Sequence, residues 1–520
     1  MPLMGSLYIG SSGLQTSQNA LNTTAHNLSN VDTTGYTRQQ VQQSNRAYVT
    51  LSTDPKSIAN KQTGLGVTYS RVKQVRDYFL DKTYRKESGR SMFYEVSTEV
   101  MEEVESQLGE LNGEAFQTTM TDFWTAVQEL SKDPSSSVTQ GLIVQRASEF
   151  VQRASAVYDG LSSYQDNLNT QIRQNVDKIN KYGNQLLTLN DQIRAIESGG
   201  IEHANDLRDA RNQILDELAE LTNMSFSEDR YGSVSVQIEG VDFVKDGKCY
   251  EIAMKTDEAT GFVTPFWPMN ASYTTRDDGT RVYNIDGAEV FDLSIEISSD
   301  LGTDIGGLKA MLLARGDHRA NYTDLAEGKY DSVSQSVVMN IQGEFDQIND
   351  ILAEAAGVQS GDLELADGTT LKNAKYCAVD SDGYMRMEDG TPIQLFTKVT
   401  TDGYRKVTGK DGKDYWVMNE EKADSPESLY TIGNLQVNSA LMQEPSKLGF
   451  RLADGSEDKK TADALKAAFT EESYTLNPNV QKKTTFVDYY TDLVSQVANS
   501  GYVFRSIYEN QVNTVEATQS

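Results

Sequence analysis

Between Val151 and Ile196 two apolar positions recur every seven residues, and this run limits the fold more than any other part of the chain. One position reads Val151, Tyr158, Gln165, Ile172, Ile179, Leu186 and Ile193; the other reads Ala154, Leu161, Leu168, Asn175, Tyr182, Leu189 and Ile196. Residues three and four apart share a helix face, so the pattern predicts one continuous helix with a coiled-coil-like seam. At 1.5 Å per residue this helix would be about 70 Å long, far beyond the helix of an ordinary compact domain. Gln165 and Asn175 interrupt the seam. They either fix its register, as polar seam positions do in coiled coils, or face a wet groove.

Elements on both sides are helical by the same criterion. Ser198, Gly199 and Gly200 stop the long helix, Asn205 or Asp206 is placed to cap the next, and Leu207, Ile214, Leu218 and Leu221 mark its apolar face. A helical hairpin results. Upstream, Val96, Val100, Val104, Leu108 and Leu111 predict one helix, and Phe116, Met120, Phe123, Val127 and Leu130 another that ends before Asp133-Pro134. From about Met224 the period falls to two, with Val234, Val236 and Ile238 alternating with polar residues and Gly240, Gly247 and Asp278-Gly279 as turns. Helical spacing returns at Ile305, Leu308, Leu312 and Leu313 and continues through Val333, Val337, Ile341, Phe345 and Ile348. Gly357 to Tyr430 is again turn-rich, with Asp-Gly pairs beginning at 367, 382, 389, 402 and 411. A last helix carries Val487, Tyr490, Leu493, Val494, Val497 and Ala498 and runs on through Phe504 and Tyr508. The fold class is therefore mainly α with β insertions: a long coiled-coil-like trunk of antiparallel helices carrying two small β-rich outer domains.

Composition narrows the function by exclusion. At 520 residues the chain has room for three or four domains of roughly 100 to 200 residues. Forty-seven basic residues stand against 76 acidic ones, a net charge of -29, which argues against nucleic acid and anionic membrane as partners. The N-terminus has no basic region followed by an apolar one, and no apolar run is long enough to span a bilayer. Cys249 and Cys377 stand outside any metal or redox spacing. The three histidines, His26, His203 and His318, have no sequence neighbours that suggest a metal site or a triad. Neither HExxH, a P-loop nor GxGxxG is present, since Gly64-Leu65-Gly66 is only half of such a pattern. The chain reads as a non-enzyme without cofactors or metals.

The remaining feature is at the N-terminus. Leu7, Leu14, Leu21 and Leu28 form a single row on a helix otherwise rich in Ser, Thr, Asn and Gln, and one such row needs a partner to bury it. Asn30, Asp32, Thr33, Thr34 and Gly35 favour turns, so the helix should end near Asn30, with Gly35 free to take positive φ and Tyr36 opening an extended segment. This stretch resembles the N-terminal signature of the flagellar rod, hook and hook-associated axial proteins, Asn-Asn-x-Ala-Asn-x-x-Thr-x-Gly-Tyr. Asn27, Asn30, Thr33, Gly35 and Tyr36 match it; His26 stands at the first Asn and Ser29 at the Ala. The continuation Thr37, Arg38, Gln39 is similar to the Ser-Arg-Gln of the members that join hook to filament. Gly64 to Arg85, Phe123-Trp124 with Ala126, Leu130 and Pro134, Asn205 to Leu218, and Thr431 to Phe450 resemble the family's trunk as well.

The resemblance implies a structural adaptor of the bacterial flagellum, exported without signal cleavage, that assembles on the distal end of the hook and joins it to the filament. Implied partners are further copies in a ring, the hook protein, the second junction protein (hook-associated protein 3) and an export chaperone. Leu7, Leu14, Leu21 and Leu28 become candidate assembly contacts, and Asn27, Asn30, Thr33, Gly35, Tyr36, Arg38 and Gln39 the turn that joins inner segment to trunk. In the family a further C-terminal helix pairs with the N-terminal one. Here the sequence stops at Ser520, so that partner is expected to be missing, the leucine row to pair on another subunit, and the chaperone contact to be affected. The chain then divides into an inner segment 1–65; a trunk of 66–222 with 304–355 and 431–520; an outer β domain 223–303; and a β insertion 356–430. A hook or distal rod subunit shares the signature but not its continuation. A secreted coiled-coil adhesin with β tips would share the long helix and not the signature.

Overall fold

The computed structural model describes residues 2–33, 35–53, 60–109, 116–199, 203–326, 328–353, 359–378, 394–422, 425–448, 450 and 456–519. Leu111, Gly200, Gly357 and the Asp-Gly pairs at 382 and 389 lie outside the described residues. The chain opens with helix α1 (Pro2–Ser29), then β1 (Gln39–Asn45), β2 (Val49–Thr53), β3 (Asn60–Thr63) and β4 (Val67–Gln74). β1 pairs antiparallel with β4 and β2 with β3, so the four strands form nested hairpins. Four helices follow: α2 (Tyr78–Leu108), α3 (Phe116–Lys132), α4 (Ser137–Glu197) and α5 (Asn205–Leu221). Asp77 caps α2 by accepting from Phe79 N, and Gly109 ends it with φ 78°. Ser136 caps α4 through Val138 N.

α4 is 61 residues long, about 90 Å at 1.5 Å per residue. It begins before the heptads because Gln140, Ile143, Val144, Ala147 and Phe150 already extend its buried face. The second heptad row leaves that face toward the C-terminal end. Asn175 and Leu189 are only half-buried and Ile196 is exposed, while Val176, Gly183 and Asn190 take their places inside. A straight helix turns 3.6 residues per turn, so a strict seven-residue row drifts by roughly 20° each heptad. Gly183 marks the closest approach: a Cβ there would lie 2.5 Å from Cys249 Sγ and 2.6 Å from Phe243 Cζ.

Gln165 faces no wet groove. It is fully buried, donates to Arg315 O at 2.7 Å and His318 O at 3.2 Å, and accepts from Gln342 Nε2 at 2.9 Å. Asn175 Nδ2 instead rests on Met311 Sδ. The cap expected for α5 is also different. Neither Asn205 nor Asp206 caps it; residue Ala204 holds the cap position without a side-chain bond, and Glu197 of α4 accepts from Ala204 N at 3.1 Å and pairs with Arg208 at 2.7 Å. Capping thus comes from the preceding helix, which sequence spacing does not reveal.

Strands β5 (Met224–Glu228), β6 (Val234–Ile238), β7 (Val241–Lys245) and β8 (Lys248–Cys249) form an antiparallel meander. Two hairpins follow, β9 (Ala253–Thr256) with β10 (Val263–Phe266) and β11 (Ser272–Thr275) with β12 (Arg281–Asn284). Val234, Val236 and Ile238 point inward and share a core with Phe243, Trp267, Leu218 of α5 and Ile172, Val176, Ile179 and Leu186 of α4.

The expected continuous helical stretch from Ile305 to Ile348 is broken into α6 (Gly307–Arg315), a 3₁₀ turn at Tyr322–Leu325, α7 (Tyr330–Val333) and α8 (Val337–Ala353). Gly316 has φ 73°, and a Cβ there would fall 1.9 Å from Met339 Sδ, so glycine suits the turn that ends α6 both in conformation and in space. Beyond α8 the strands are β13 (Gln359–Glu364), β14 (Thr370–Ala378), β15 (Phe396–Lys398), β16 (Tyr404–Thr408), β17 (Asp414–Met418) and β18 (Leu435–Val437). Four of them form a sheet of order β13-β14-β17-β16 with a small core of Leu363, Ala374 and Val417. β15 pairs with β18 and ties this sheet region to the returning chain. Asp402-Gly403 is not a left-handed turn, whereas Gly368 and Gly412 are.

The chain closes through α9 (Ser439–Gln443), α10 (Lys459–Thr470) and α11 (Phe486–Gln519). α11 lies antiparallel on α2: Tyr490 OH donates to Leu108 O, Phe504 meets Tyr94 and Arg505 pairs with Glu102. Ala498 is exposed, and Tyr489 fills the buried face instead. The main core gathers Phe116, Phe123, Phe150, Phe345, Phe469 and Tyr490. α4 therefore lines both large cores.

Candidate assembly interface

α1 turns its leucines away from the protein. Leu7, Leu14, Leu21 and Leu28 are 71–75% exposed, which for residues of this size leaves a continuous apolar stripe in water. The opposite face is polar and docked. Ser12 and Thr16 are buried; Ser12 Oγ donates to Ile9 O at 2.8 Å and accepts from Val67 N of β4 at 3.3 Å, while Thr16 Oγ1 donates to Ser12 O. Gly66 permits the approach, since a Cβ there would lie 2.3 Å from Ser12 Oγ. Near the start of the helix Arg46 of the β1–β2 turn donates to Tyr8 OH and lies over its ring.

The signature residues converge at the other end of α1. Asn27 uses its whole amide: Oδ1 accepts from Gln39 N at 2.9 Å and Nδ2 donates to Gln39 O at 2.8 Å, as a neighbouring strand would. Its Oδ1 also accepts from Tyr36 OH at 2.7 Å, and His26 Nδ1 lies 2.9 Å from the same hydroxyl. Because Tyr36 donates to Asn27, the consistent arrangement has His26 Nδ1–H donating to Tyr36. Asn30 closes the helix end, donating from Nδ2 to His26 O and accepting from Thr33 at both its backbone and side-chain oxygen. Gly35 takes φ 79°. Arg38 contributes its carbonyl, which accepts from Val75 N at 2.8 Å, and is itself exposed.

This turn is seated on α5 by residues that the sequence did not single out. Gln74 at the end of β4 donates to Asp209 Oδ1 at 2.8 Å and to Asn205 O at 3.0 Å, and Thr37 favours the charged form of the same carboxylate. Gly35 lies against Gln213. Burial raises the Asp209 carboxyl above the usual aspartate range, against the lowering effect of Thr37 and Arg76. Tyr36 is raised by burial and then by Asp209 and Asp206. Below the seat, an ionic seam joins α2 to α5: Arg76 pairs with Asp81 and Asp216, and Arg85 with Asp216 at 2.7 Å.

Among the described residues no group of three or more His, Cys, Asp or Glu is arranged to hold a metal ion, and no helix is long and apolar enough to cross a membrane. The histidines do have partners. His318 lies 2.6 Å from Asp317 and 3.3 Å from Asp324, and His203 lies 3.5 Å from Glu197. The Asp317–His318 contact joins adjacent residues and has no metal-ligand spacing.

Known proteins match this arrangement at both ends of the joint. The flagella basal body rod protein family model matches residues 7–37, the α1 stripe with its turn, and the model of the flagellar hook-associated protein FlgK helical domain matches 101–282. Over 97% of the chain and 90% of the relative, the sequence is 25% identical to flagellar hook-associated protein 1 of Salmonella typhimurium. The chain is similar to flagellar hook-associated protein 1. It is 28% identical to hook-associated protein 1 of Bacillus subtilis over 268 residues, 48% of this chain and 53% of that one. The match to the Escherichia coli member, also 28%, spans 40% of that relative. The chain thus spans about half the length of these two. The hook junction protein FlgK of Burkholderia pseudomallei shares the fold with a TM-score of 0.50 at 13% identity, covering 84% of this chain and 99% of that one.

Proposed function

We propose that this protein is a structural adaptor that assembles on the distal end of the hook and seats the filament, working through interfaces and without catalysis. The carrying observation is the stripe of Leu7, Leu14, Leu21 and Leu28 on a helix whose polar face is already docked on β1 and β4. Four exposed leucines on one side gain their stabilisation only when another surface covers them. In this reading the covering surface belongs to neighbouring copies in a ring, and the turn at Asn27, Asn30, Thr33, Gly35, Tyr36, Arg38 and Gln39 carries the stripe at a set angle. The hook protein below, hook-associated protein 3 above and an export chaperone before assembly complete the partner set, with export proceeding without signal cleavage. The division into inner segment 1–65, trunk (66–222, 304–355, 431–520) and β regions 223–303 and 356–430 goes with the same reading.

Glutamate at both Leu14 and Leu21 tests it. The doubly substituted protein should be absent from flagella isolated from a strain lacking the native copy, while its thermal unfolding in solution matches the parent. Normal incorporation of the double variant would refute the assembly role of the stripe.

A further inference from the structure

The joint between α1 and the trunk carries a second inference. α1 packs chiefly on β1 and β4, and these two strands form a sheet of their own, an arrangement that is marginal alone in water. The arm made of α1, β1 and β4 therefore needs a fixed attachment, yet its leucines face solvent and do not provide one. The contacts that reach α5 are polar. Gln74, the last residue of β4, donates to the Asp209 carboxylate at 2.8 Å and to Asn205 O at 3.0 Å, and Thr37, two residues before β1, favours the charged form of that carboxylate. Gln39 and Gln74 are register partners across the β1–β4 pair, so the bonds of Gln74 tie the paired strand ends nearest the trunk to α5.

We propose that Asp209 is a positioning residue, a clasp that fixes the angle between the α1 arm and the helical trunk and hence the direction in which Leu7, Leu14, Leu21 and Leu28 point. A carboxylate suits this task because it accepts several hydrogen bonds at once and binds donors more strongly when charged. An asparagine would present an NH₂ to Thr37 or Gln74, which are donors themselves. Arg76 and Asp206 are the other charged groups whose fields reach Asp209. The consequence for assembly rests on the reading of the leucine stripe given above; the clasp itself does not.

The test is a distance measurement on the full chain as a monomer. Spin labels are placed at Asn22→Cys on α1 and Gln192→Cys on α4, both exposed in the parent, with Cys249 and Cys377 replaced by alanine. The parent and Thr37→Ser, which keeps the hydroxyl, should give one narrow distance distribution. Asp209→Ala should at least double its width with helical content unchanged, and Asp209→Asn should fall between. If Asp209→Ala does not fold, Thr37→Val with Gln74→Ala removes the side-chain donors that the arm turns toward Asp209 and leaves α5 intact. A distribution as narrow as the parent's in either variant overturns the clasp. Leu14 and Leu21 are untouched in every variant, so the outcome is independent of the incorporation test.

Discussion

α1 and α4 carry related sequence patterns and come to rest in opposite environments. In α4 Leu161, Leu168 and Leu186 are at most 2% exposed, whereas the four leucines of α1 are at least 71% exposed. The difference lies in the width of the stripe. α4 offers two adjacent apolar rows, enough to face several neighbours at once, and α2, α5, α6 and the β5–β8 meander all pack on it or share its cores. α1 offers one row, and the polar residues away from it, Ser12, Thr16 and Asn27, find their partners within the arm. Heptad spacing therefore identifies a face without saying whether its partner is in the same chain.

The sharpest way to break this comparison is a matched truncation. Leu161→Ala should cost about 2–5 kcal/mol, because it removes a fully buried side chain and leaves a cavity, while Leu14→Ala should cost less than about 0.5 kcal/mol in the isolated chain. Denaturant unfolding followed by circular dichroism measures both. Equal losses would mean that α1 is covered in solution.

Next in size is an effect of pH on the trunk. Glu344 of α8 is fully buried and accepts from Asn477 at 2.7 Å, Gln496 at 3.1 Å and Asn340 at 3.3 Å. Burial pushes its carboxyl from 4.5 up to about 7, against the lowering effect of those three amides. A carboxyl raised on folding supports stability fully below the lower value and loses that support as pH rises through the upper one. Relative to Glu344→Gln, the parent should therefore lose about 3 kcal/mol of stability between pH 4.5 and pH 8. A constant difference across that range would show that the carboxyl is not neutral when buried.

Two neighbouring isoleucines sharpen the account of α4 itself. Ile193 is fully buried and Ile196 is 44% exposed, although both stand on heptad rows. Ile193→Val should cost about 1 kcal/mol and Ile196→Val close to none. The smallest effect belongs to His318. Hydrogen bonds with Asp317 and then Asp324 raise it to about 10, so it favours the folded state below about 6.5 and loses that contribution as pH climbs through 10. His318→Gln should lower stability by under about 1 kcal/mol near pH 6 and by nothing measurable near pH 10.

The helices were legible wherever a row of apolar residues met a partner in the chain. α3, the core of α4, α5 and α11 follow from spacing alone, and the strand alternation at Val234, Val236 and Ile238 does too. What escaped depended on distant residues. Glu197 serves as the cap of α5, Met339 occupies the space that a side chain at Gly316 would need, and β15 finds β18 across an insertion. The site divides in the same way. Asn27, Asn30, Gly35 and Tyr36 stood out because they form a local signature, but Asp209 and Gln74 are an ordinary aspartate and glutamine until the fold brings them together.

α4 belongs to two cores at once, and this has a mechanical meaning. Loops between domains act as joints, and a load on one side of a joint is lost as rotation. A helix that continues without interruption from the packing of Phe150 to that of Leu186 leaves no such joint. Force applied to the outer sheets arrives at the trunk as bending of a single hydrogen-bonded beam, whose backbone bonds stretch together. The β5–β8 meander is cantilevered on that beam, so it resists twisting with the stiffness of the helix and not with the compliance of a linker.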